Sequence, residues 1–228
     1  LENKSISIII PILNEAENID NLMANLEQLT GDFEVIFCDG GSTDDTVALI
    51  GDRFKVVTAP IKGRAYQMNT GAQASSGDVL FFLHADSVLP VTAISEIICV
   101  LEKGYDVGCF KIAFDSHSFW MKCCGFFSNL RVRTRNIAFG DQGIFIKREL
   151  FEQLGGFPEL PLMEDYKLSI NLKKQGYKFG MTNKKLLTSE RRFVKNGRLK
   201  TMWKMQRLQA MFRAGEDIDR IASMYRDR

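Results

Sequence analysis

The sequence predicts an α/β protein with a mostly parallel sheet flanked by helices and a helical segment toward its C-terminal end. Three observations carry this expectation. Short β-branched and apolar runs at residues 5–12, 33–38, 54–58 and 80–83 alternate with segments whose apolar residues recur at helical spacing. The runs are apolar nearly throughout, as in strands covered on both faces. Strand and helix alternating in this order give parallel strands joined by right-handed crossovers, with helices on both sides of the sheet.

At 228 residues the chain is long enough for one substantial core. Lys and Arg number 30 against 28 Asp and Glu, a balance that excludes a dedicated nucleic-acid binder. Basic residues nonetheless gather late, at Lys184-Lys185, Arg191-Arg192 and 195–204, so the C-terminal third is expected to present a positive face. The five cysteines make no Cys-x-x-Cys spacing. Buried small hydrophobes account for them, with Cys123-Cys124 open to a redox reading. A reducing cytoplasm is the expected compartment. No apolar run approaches the ~18 residues of a membrane span, and no secretory leader is expected.

In order, residues 5–12 form the first strand, stopped by Pro11. Asn14 to Asn18 opens a helix whose inward face is Ile19, Leu22, Met23, Leu26 and Leu29, and Gly31 ends it. The second strand, 33–38, leads to a loop in which Ser42 or Thr43 caps a helix bearing Val47, Leu49 and Ile50. After the third strand, Lys62-Gly63-Arg64 opens a helix with Met68, Ala72 and Ala74 inward. Gly77-Asp78 then turns into Leu80-Phe81-Phe82-Leu83, which breaks into His84-Ala85-Asp86. Beyond Pro90 the pattern gives helices at 91–101, 119–135, 148–154, 163–175, 195–214 and 217–226, and strands at 106–114 and 143–147. No linker rich in Pro, Gly or Ser divides the chain.

Ligands of open α/β sheets sit at the carboxyl ends of the strands, so the residues just past each strand are the candidates for chemistry. Pro11, Asn14 and Glu15 follow the first strand, where a helix cap with first-turn carboxylates is the competing structural explanation. Asp39-Gly40-Gly41-Ser42 follow the second. Paired glycines let backbone approach a ligand, and a carboxylate there can accept hydrogen bonds from a base or ribose. The segment has neither the Gly-x-Gly-x-x-Gly of dinucleotide sites nor the Lys-Ser/Thr of a phosphate loop, so neither NAD nor ATP is favoured. Arg64 to Asn69 put a cation beside free helix-start N–H groups, an arrangement suited to phosphate; a solvated helix end is the alternative. His84 and Asp86 lie two apart, so on a strand both would face one ion, and this pair suits Mn²⁺ better than Ca²⁺. One of Glu164 and Asp165 can serve as a general base, although acidic pairs are common in first helical turns.

Taken together and in order, these segments resemble the family 2 glycosyltransferases of the GT-A fold, from about Ser5 to Tyr177. The loop of Pro11, Asn14 and Glu15 is similar to the family's first nucleotide loop, and Asp39-Gly40-Gly41-Ser42-Thr43-Asp44 to its uracil and ribose segment. Gly63-Arg64-Ala65 through Asn69-Thr70-Gly71-Ala72 resembles the stretch lining the diphosphate, and Gly155-Gly156-Phe157 with Glu164-Asp165 the acceptor-side motif. Where the family has Asp-x-Asp, this chain has His84-Ala85-Asp86, keeping the last, metal-binding carboxylate. Phe139-Gly140-Asp141-Gln142-Gly143 and Ser189-Glu190-Arg191-Arg192-Phe193 look like marks of a subgroup of small bacterial members.

The resemblance implies inverting, metal-assisted transfer of a sugar from a nucleotide-diphosphate donor, with a UDP-sugar favoured, to an acceptor hydroxyl. Asp86 would hold Mn²⁺ or Mg²⁺, His84 would contact the ribose or the ion, and Asp165 beside Glu164 would be the base. Gln142 and Arg192 are expected at the donor sugar or the acceptor, with Arg191 and Arg192, just after an expected last strand, forming either a lid over the diphosphate or a plain basic surface. One domain over 3–228 is expected, with a nucleotide-binding half to about residue 90 and an acceptor-binding half beyond it. The acceptor is lipid-linked or a small molecule. The 195–214 helix either packs on the domain or lies on an anionic membrane, which would make a cytoplasmic protein peripheral at the inner face. Two alternatives stand beside this: a nucleotidyltransferase of the same fold, whose Gly-rich basic loop is missing from Ile10 to Asn14, and a non-catalytic nucleotide-sugar binder.

Overall fold

The computed structural model describes residues 4–226, with the side chains of Arg192 and Arg226 left out of that description. In chain order the elements are β1 (Ile6–Ile12), α1 (Ala16–Leu26), β2 (Phe33–Asp39), α2 (Thr46–Ile50), β3 (Lys55–Thr58), α3 (Arg64–Ala74), β4 (Val79–Phe82) and β5 (Ser87–Val88). They continue with α4 (Ala93–Glu102), β6 (Val107–Phe114), α5 (Phe119–Arg135), β7 (Ile144–Lys147), α6 (Arg148–Gln153) and α7 (Glu164–Lys174). Then come β8 (Phe179–Thr188), α8 (Arg191–Asn196), α9 (Arg198–Arg213) and α10 (Ile218–Arg226). The described strands make one sheet in the order β3-β2-β1-β4-β7-β6-β8-β5. β3, β2, β1 and β4 are parallel, while β7 runs antiparallel to both β4 and β6. Pairing of Phe82 with Ile144 puts the start of β7 at the end of β4, so the 140–142 turn joins the carboxyl edge of the parallel strands.

Period-two alternation divides β1 between two cores. Ile6, Ile8, Ile10 and Ile12 pack with α1 and α4 on one face, and Ile9 packs with α3 on the other. That double coverage is why these strands read as unbroken apolar runs. α3 sits close to the sheet: a Cβ on Gly71 would fall well inside contact distance of Cys38 Sγ and Ile9 Cγ2. A third, smaller core joins α7, α9 and α10 through Tyr166, Leu208, Met211 and Ile221.

Several expectations change. β1 continues through Pro11, which pairs with Cys38. Ile12 C=O accepts from Gly40 and Ile9 C=O from Leu83, so alternation turns Pro11 toward β4, beyond the Ile9–Phe82 pair where that ladder ends. Neither Ser42 nor Thr43 caps α2, because the N-cap is Asp45 and both hydroxyl residues bind elsewhere. Ala74 is half-exposed, and Ala65, Gln67 and Gly71 join Met68 and Ala72 on the buried face of α3. The single helix expected over 195–214 is two, broken at Gly197, whose φ of +83° suits glycine. β5 is a strand beyond those expected, and the last strand expected ahead of Arg191, for which the pattern gives no bounds, is the ten-residue β8. The described cysteines are all free, and burial pushes the Cys124 thiol up to about 11, which leaves little thiolate for redox work. Among the described residues no helix is long and apolar enough to cross a membrane.

Candidate functional site

A cleft of about 410 Å³ opens at the carboxyl ends of β1 and β4. Beneath one wall, the loops after β1 and β2 are fastened together. Asn14, in a left-handed conformation (φ +53°), donates its N–H to Ser42 Oγ at 3.0 Å and accepts from Thr43 N–H at 2.8 Å. Ser42 Oγ donates to Asp39 Oδ1 at 2.6 Å, and Gly41 N–H donates to Asp39 Oδ2 at 3.0 Å. Glu15 N–H donates to Thr46 Oγ1 at 2.8 Å. From α3 the buried Gln67 amide donates to Ile12 C=O and Cys38 C=O, both at 2.7 Å, locking the two strand ends. Gly40 leaves room for that amide, since a Cβ there would lie 2.9 Å from Gln67 Nε2. Pro11 and Glu15 line the cleft, whereas Asn14, Asp39, Gly40 and Ser42 shape the loops behind it.

The floor holds a cationic and an imidazole group. Arg64, at the start of α3, pairs through Nε with the buried Glu164 carboxylate of α7, and its Nη1 lies 3.4 Å from His84 Nε2. Burial pulls Arg64 down, but Glu164 and Asp165 outweigh it and hold the guanidinium charged. Burial first, and then Arg64, depress His84 well below its usual value, against Asp165, which favours the neutral ring, and Nε2 facing the Arg64 donor is then the acceptor. β4 ends at Phe82, so His84-Ala85-Asp86 is a turn and the same-face argument for His84 and Asp86 lapses. His84 instead sits with Arg64, near Gly140, where a Cβ would lie 2.8 Å from His84 Nε2 and 3.2 Å from Asp165 Oδ2. Asp165 Oδ2 accepts from Gly140 N–H and Oδ1 from Tyr166 N–H, each at 2.7 Å. Met163, just before α7, has a φ of +66°, an outlier for such a side chain, and turns the Glu164-Asp165 pair inward.

Asp86 lies across the cleft. Arg191 Nη2, at the start of α8, stands 3.9 Å from Asp86 Oδ2 and 3.6 Å from Glu15 Oε2, bridging two carboxylates. Burial raises the Asp86 pKa, with Arg191 opposing. Among the described residues no three His, Cys, Asp or Glu are grouped to cage a metal. One or two carboxylates are the usual protein share of a Mg²⁺-type site whose other ligands are substrate phosphates and water, and Asp86 with Glu15 fits that pattern.

Three expected site residues have other duties, and a fourth is not described. Asn69 is spent on the Phe157 backbone, accepting from its N–H and donating to its C=O, both at 2.9 Å. Glu164 holds Arg64 and does not line the cleft. Gln142 is wholly buried, with Oε1 accepting from Arg131 at 2.8 Å, so it does not line the cleft. The Arg192 side chain lies outside the described residues. Gln142's neighbour Asp141 takes the wall position: it lines the cleft, and its Oδ1 has no hydrogen-bond partner among the described residues. Burial pushes its pKa up to about 6, with Arg131 opposing and Asp165 adding. The signal in the sequence was a carboxylate beside the singled-out Gln142. Gln67 gave no signal, because its partners are carbonyls of distant strands.

The model of glycosyl transferase family 2 matches residues 7–155. The chain belongs to glycosyl transferase family 2. Family 2 membership decides against the same-fold nucleotidyltransferase. The match ends before Asp165, β8 and the last three helices. Among relatives, the undecaprenyl-phosphate 4-deoxy-4-formamido-L-arabinose transferase of Yersinia pestis (strain Pestoides F) is 30% identical over 157 residues, covering 63% of this chain and 48% of that one. The transferase of the same description from Pseudomonas syringae pv. syringae (strain B728a) is 29% identical over 157 residues, covering 63% and 47%. The chain thus spans about half the length of these relatives. Among solved structures, the mannosyltransferase PcManGT from Pyrobaculum calidifontis, in complex with GDP-Man and Mn²⁺, superposes with a TM-score of 0.65 at 20% identity, over 90% of this chain and 61% of that one. S. aureus TarS 1-349 with UDP-GlcNAc gives a TM-score of 0.65 at 16% identity, over 82% and 59%. The fold of this family 2 chain is GT-A.

Proposed function

We propose that the chain is an inverting glycosyltransferase that moves a sugar from a nucleoside-diphosphate donor, UDP-linked in the favoured case, to an acceptor hydroxyl. The observation that carries this reading is the convergence of Arg64, Asp86, His84, Asp141 and Asp165 on one cleft at the strand ends. Arg64, held charged by Glu164, neutralises the diphosphate as the bond from the anomeric carbon to the phosphate oxygen breaks and that oxygen takes the electron pair. Asp86 with Glu15 would hold Mn²⁺ or Mg²⁺ beside the same phosphates, where the ion would supply further charge neutralisation. PcManGT, crystallised with GDP-Man and Mn²⁺, and TarS, crystallised with UDP-GlcNAc, support a nucleotide sugar as the donor class. Neutral His84 accepts a hydrogen bond rather than adding a second positive charge beside Arg64.

The acceptor oxygen attacks the anomeric carbon on the face opposite the leaving group and gives its proton to a carboxylate. Asp165 is that carboxylate, kept in place by the Gly140 and Tyr166 amides. A second assignment, to Asp141, is favoured by its unpartnered oxygen and its raised pKa.

Thermal shift with UDP-, GDP- and dTDP-sugars, each with and without Mn²⁺, tests the reading. A donor at about 100 times its Kd stabilises by ~2.7 kcal/mol, or roughly 5–10 °C for a chain of this size. The matching base should give that shift, and Asp86→Ala should remove its Mn²⁺-dependent part. No shift with any nucleotide sugar sinks the proposal. Loss of turnover with donor binding intact in Asp165→Asn, but not in Asp141→Asn, assigns the base; the reverse pattern reassigns it.

A further inference from the structure

The α5 helix buries only Met121, Gly125 and Val132, and turns a stripe of large apolar residues to the outside. Phe119 is 70% exposed, Phe126 63% and Phe127 62%, beside Trp120 on the same helix. Across a cleft of about 740 Å³, α9 adds Leu199 and Trp203, the latter 69% exposed. Contiguous apolar surface of this kind on one chain marks an interaction site.

The charge around it says what kind. α5 carries four Lys or Arg, α8 three and α9 five, and none of the three helices carries an Asp or Glu. The whole chain has a net charge of only +2, so positive charge is concentrated on these helices, of which α5 and α9 also expose the aromatics. Both tryptophans of the chain, Trp120 and Trp203, lie on this face. Exposed Trp, Phe and Leu beside the exposed Lys122, Arg133 and Lys200 match the boundary of an anionic bilayer, where rings sit at headgroup depth and cations meet lipid phosphates.

We propose that the α5–α9 face docks onto an anionic lipid bilayer. The cleft between the two helices shares Phe139, Asp141 and Phe193 with the sugar cleft, so the face that meets the membrane opens toward the reacting groups. Resting on the proposed sugar transfer, this continuity assigns the acceptor to the class of lipid-borne molecules.

The test needs no substrate. The purified chain is mixed with vesicles of phosphatidylcholine alone or with phosphatidylglycerol, and sedimentation is read together with tryptophan emission. Because both tryptophans lie on the docking face, docking should blue-shift their emission and expose them to quenching by brominated acyl chains. Partition onto the anionic vesicles should exceed that onto the neutral ones by at least about tenfold. Phe126→Ser with Phe127→Ser should weaken partition by about tenfold or more while leaving Tm and the nucleotide-sugar thermal shift unchanged, because both rings are mostly in water already. Lys122→Glu with Arg133→Glu should abolish the preference for anionic lipid. Wild-type protein that stays in the supernatant, or a Phe pair variant that sediments like wild type, overturns the proposal. So does a dimer in solution that the Phe pair variant dissociates, because a second copy would then cover the face. Failure of transfer with docking intact would instead remove the proposed reaction and leave the docking face standing.

Discussion

Gly140→Ala probes the contact on which the cleft floor depends. Gly140 is not among the glycines with a left-handed φ, so alanine brings no backbone strain. Its methyl would lie 2.8 Å from His84 Nε2 and 3.2 Å from Asp165 Oδ2, where ordinary contact begins near 3.4 Å. Something must therefore move by about half an ångström or more. Asp165 Oδ2 is bound to the Gly140 N–H itself at 2.7 Å and cannot retreat without losing that bond. The ring end of His84 can, at the expense of its contact with Arg64. Overpacking relieved by one flexible side chain costs about 1 kcal/mol, a Tm decrease of roughly 2–4 °C for a chain of this size. Displacing groups around a reacting centre by such amounts can cost about 10²-fold in rate. Nucleotide release from the donor found by thermal shift, with kcat and KM separated, reads the second effect, and melting reads the first. A folded variant with kcat/KM within about threefold of wild type would refute the idea that the spacing of His84 and Asp165 sets the rate.

Three further outcomes follow from the same geometry. Asp141 has its folded pKa raised to about 6 against ~3.9 unfolded, so its charge penalises the fold: stability is fullest below pH ~4 and is lost as pH rises through 6. Asp141→Asn should thus be more stable than wild type at pH 7.5, by up to about 3 kcal/mol, with the gap closing toward pH 4.5 in denaturant melts; a gap that does not change with pH contradicts the assignment. Glu164→Gln leaves Arg64 without its buried partner, and because about a third of Arg64 still meets water the cost should be near 2 kcal/mol, below the full buried-pair value, and Tm should fall by roughly 4–8 °C. Gly71→Ala drives a methyl into Cys38 and Ile9 and should lower stability by about 1–3 kcal/mol in urea melts despite alanine's better helix propensity; a neutral result would mean that α3 is not seated as described.

Legibility in the sequence followed the local pattern. α5 was read at its observed bounds, because an aromatic helical stripe and polar ends need no tertiary information. β1, β2 and β4 were legible as apolar runs, since burial on both faces leaves no alternation to misread. β8 was legible only as a strand ahead of Arg191, without bounds, because Asn183-Lys184-Lys185 interrupt it with polar residues and its pairing with β6 is shifted between Cys109 and Lys111. The strand-end loops could be located because a parallel sheet delivers its carboxyl ends to one edge. Which residue there faces the cleft could not. Asn69 and Gln142 are polar residues near the strand ends, yet each is consumed by a partner on another element, the Phe157 backbone and Arg131. Asp141 was passed over for the opposite reason: only the fold reveals that its oxygen is left without a partner.

The cleft is bounded by Pro11 on β1 and by Tyr225 on α10. More than two hundred residues therefore separate two groups that share one cleft. During synthesis the loops after β1 and β2 can form well before α10 is made, but the enclosure waits for α10 to seat Ile221 against its neighbours. A nascent or C-terminally clipped chain would hold the strand-end loops over an open trough, and completion of the pocket would coincide with completion of translation through residue 225.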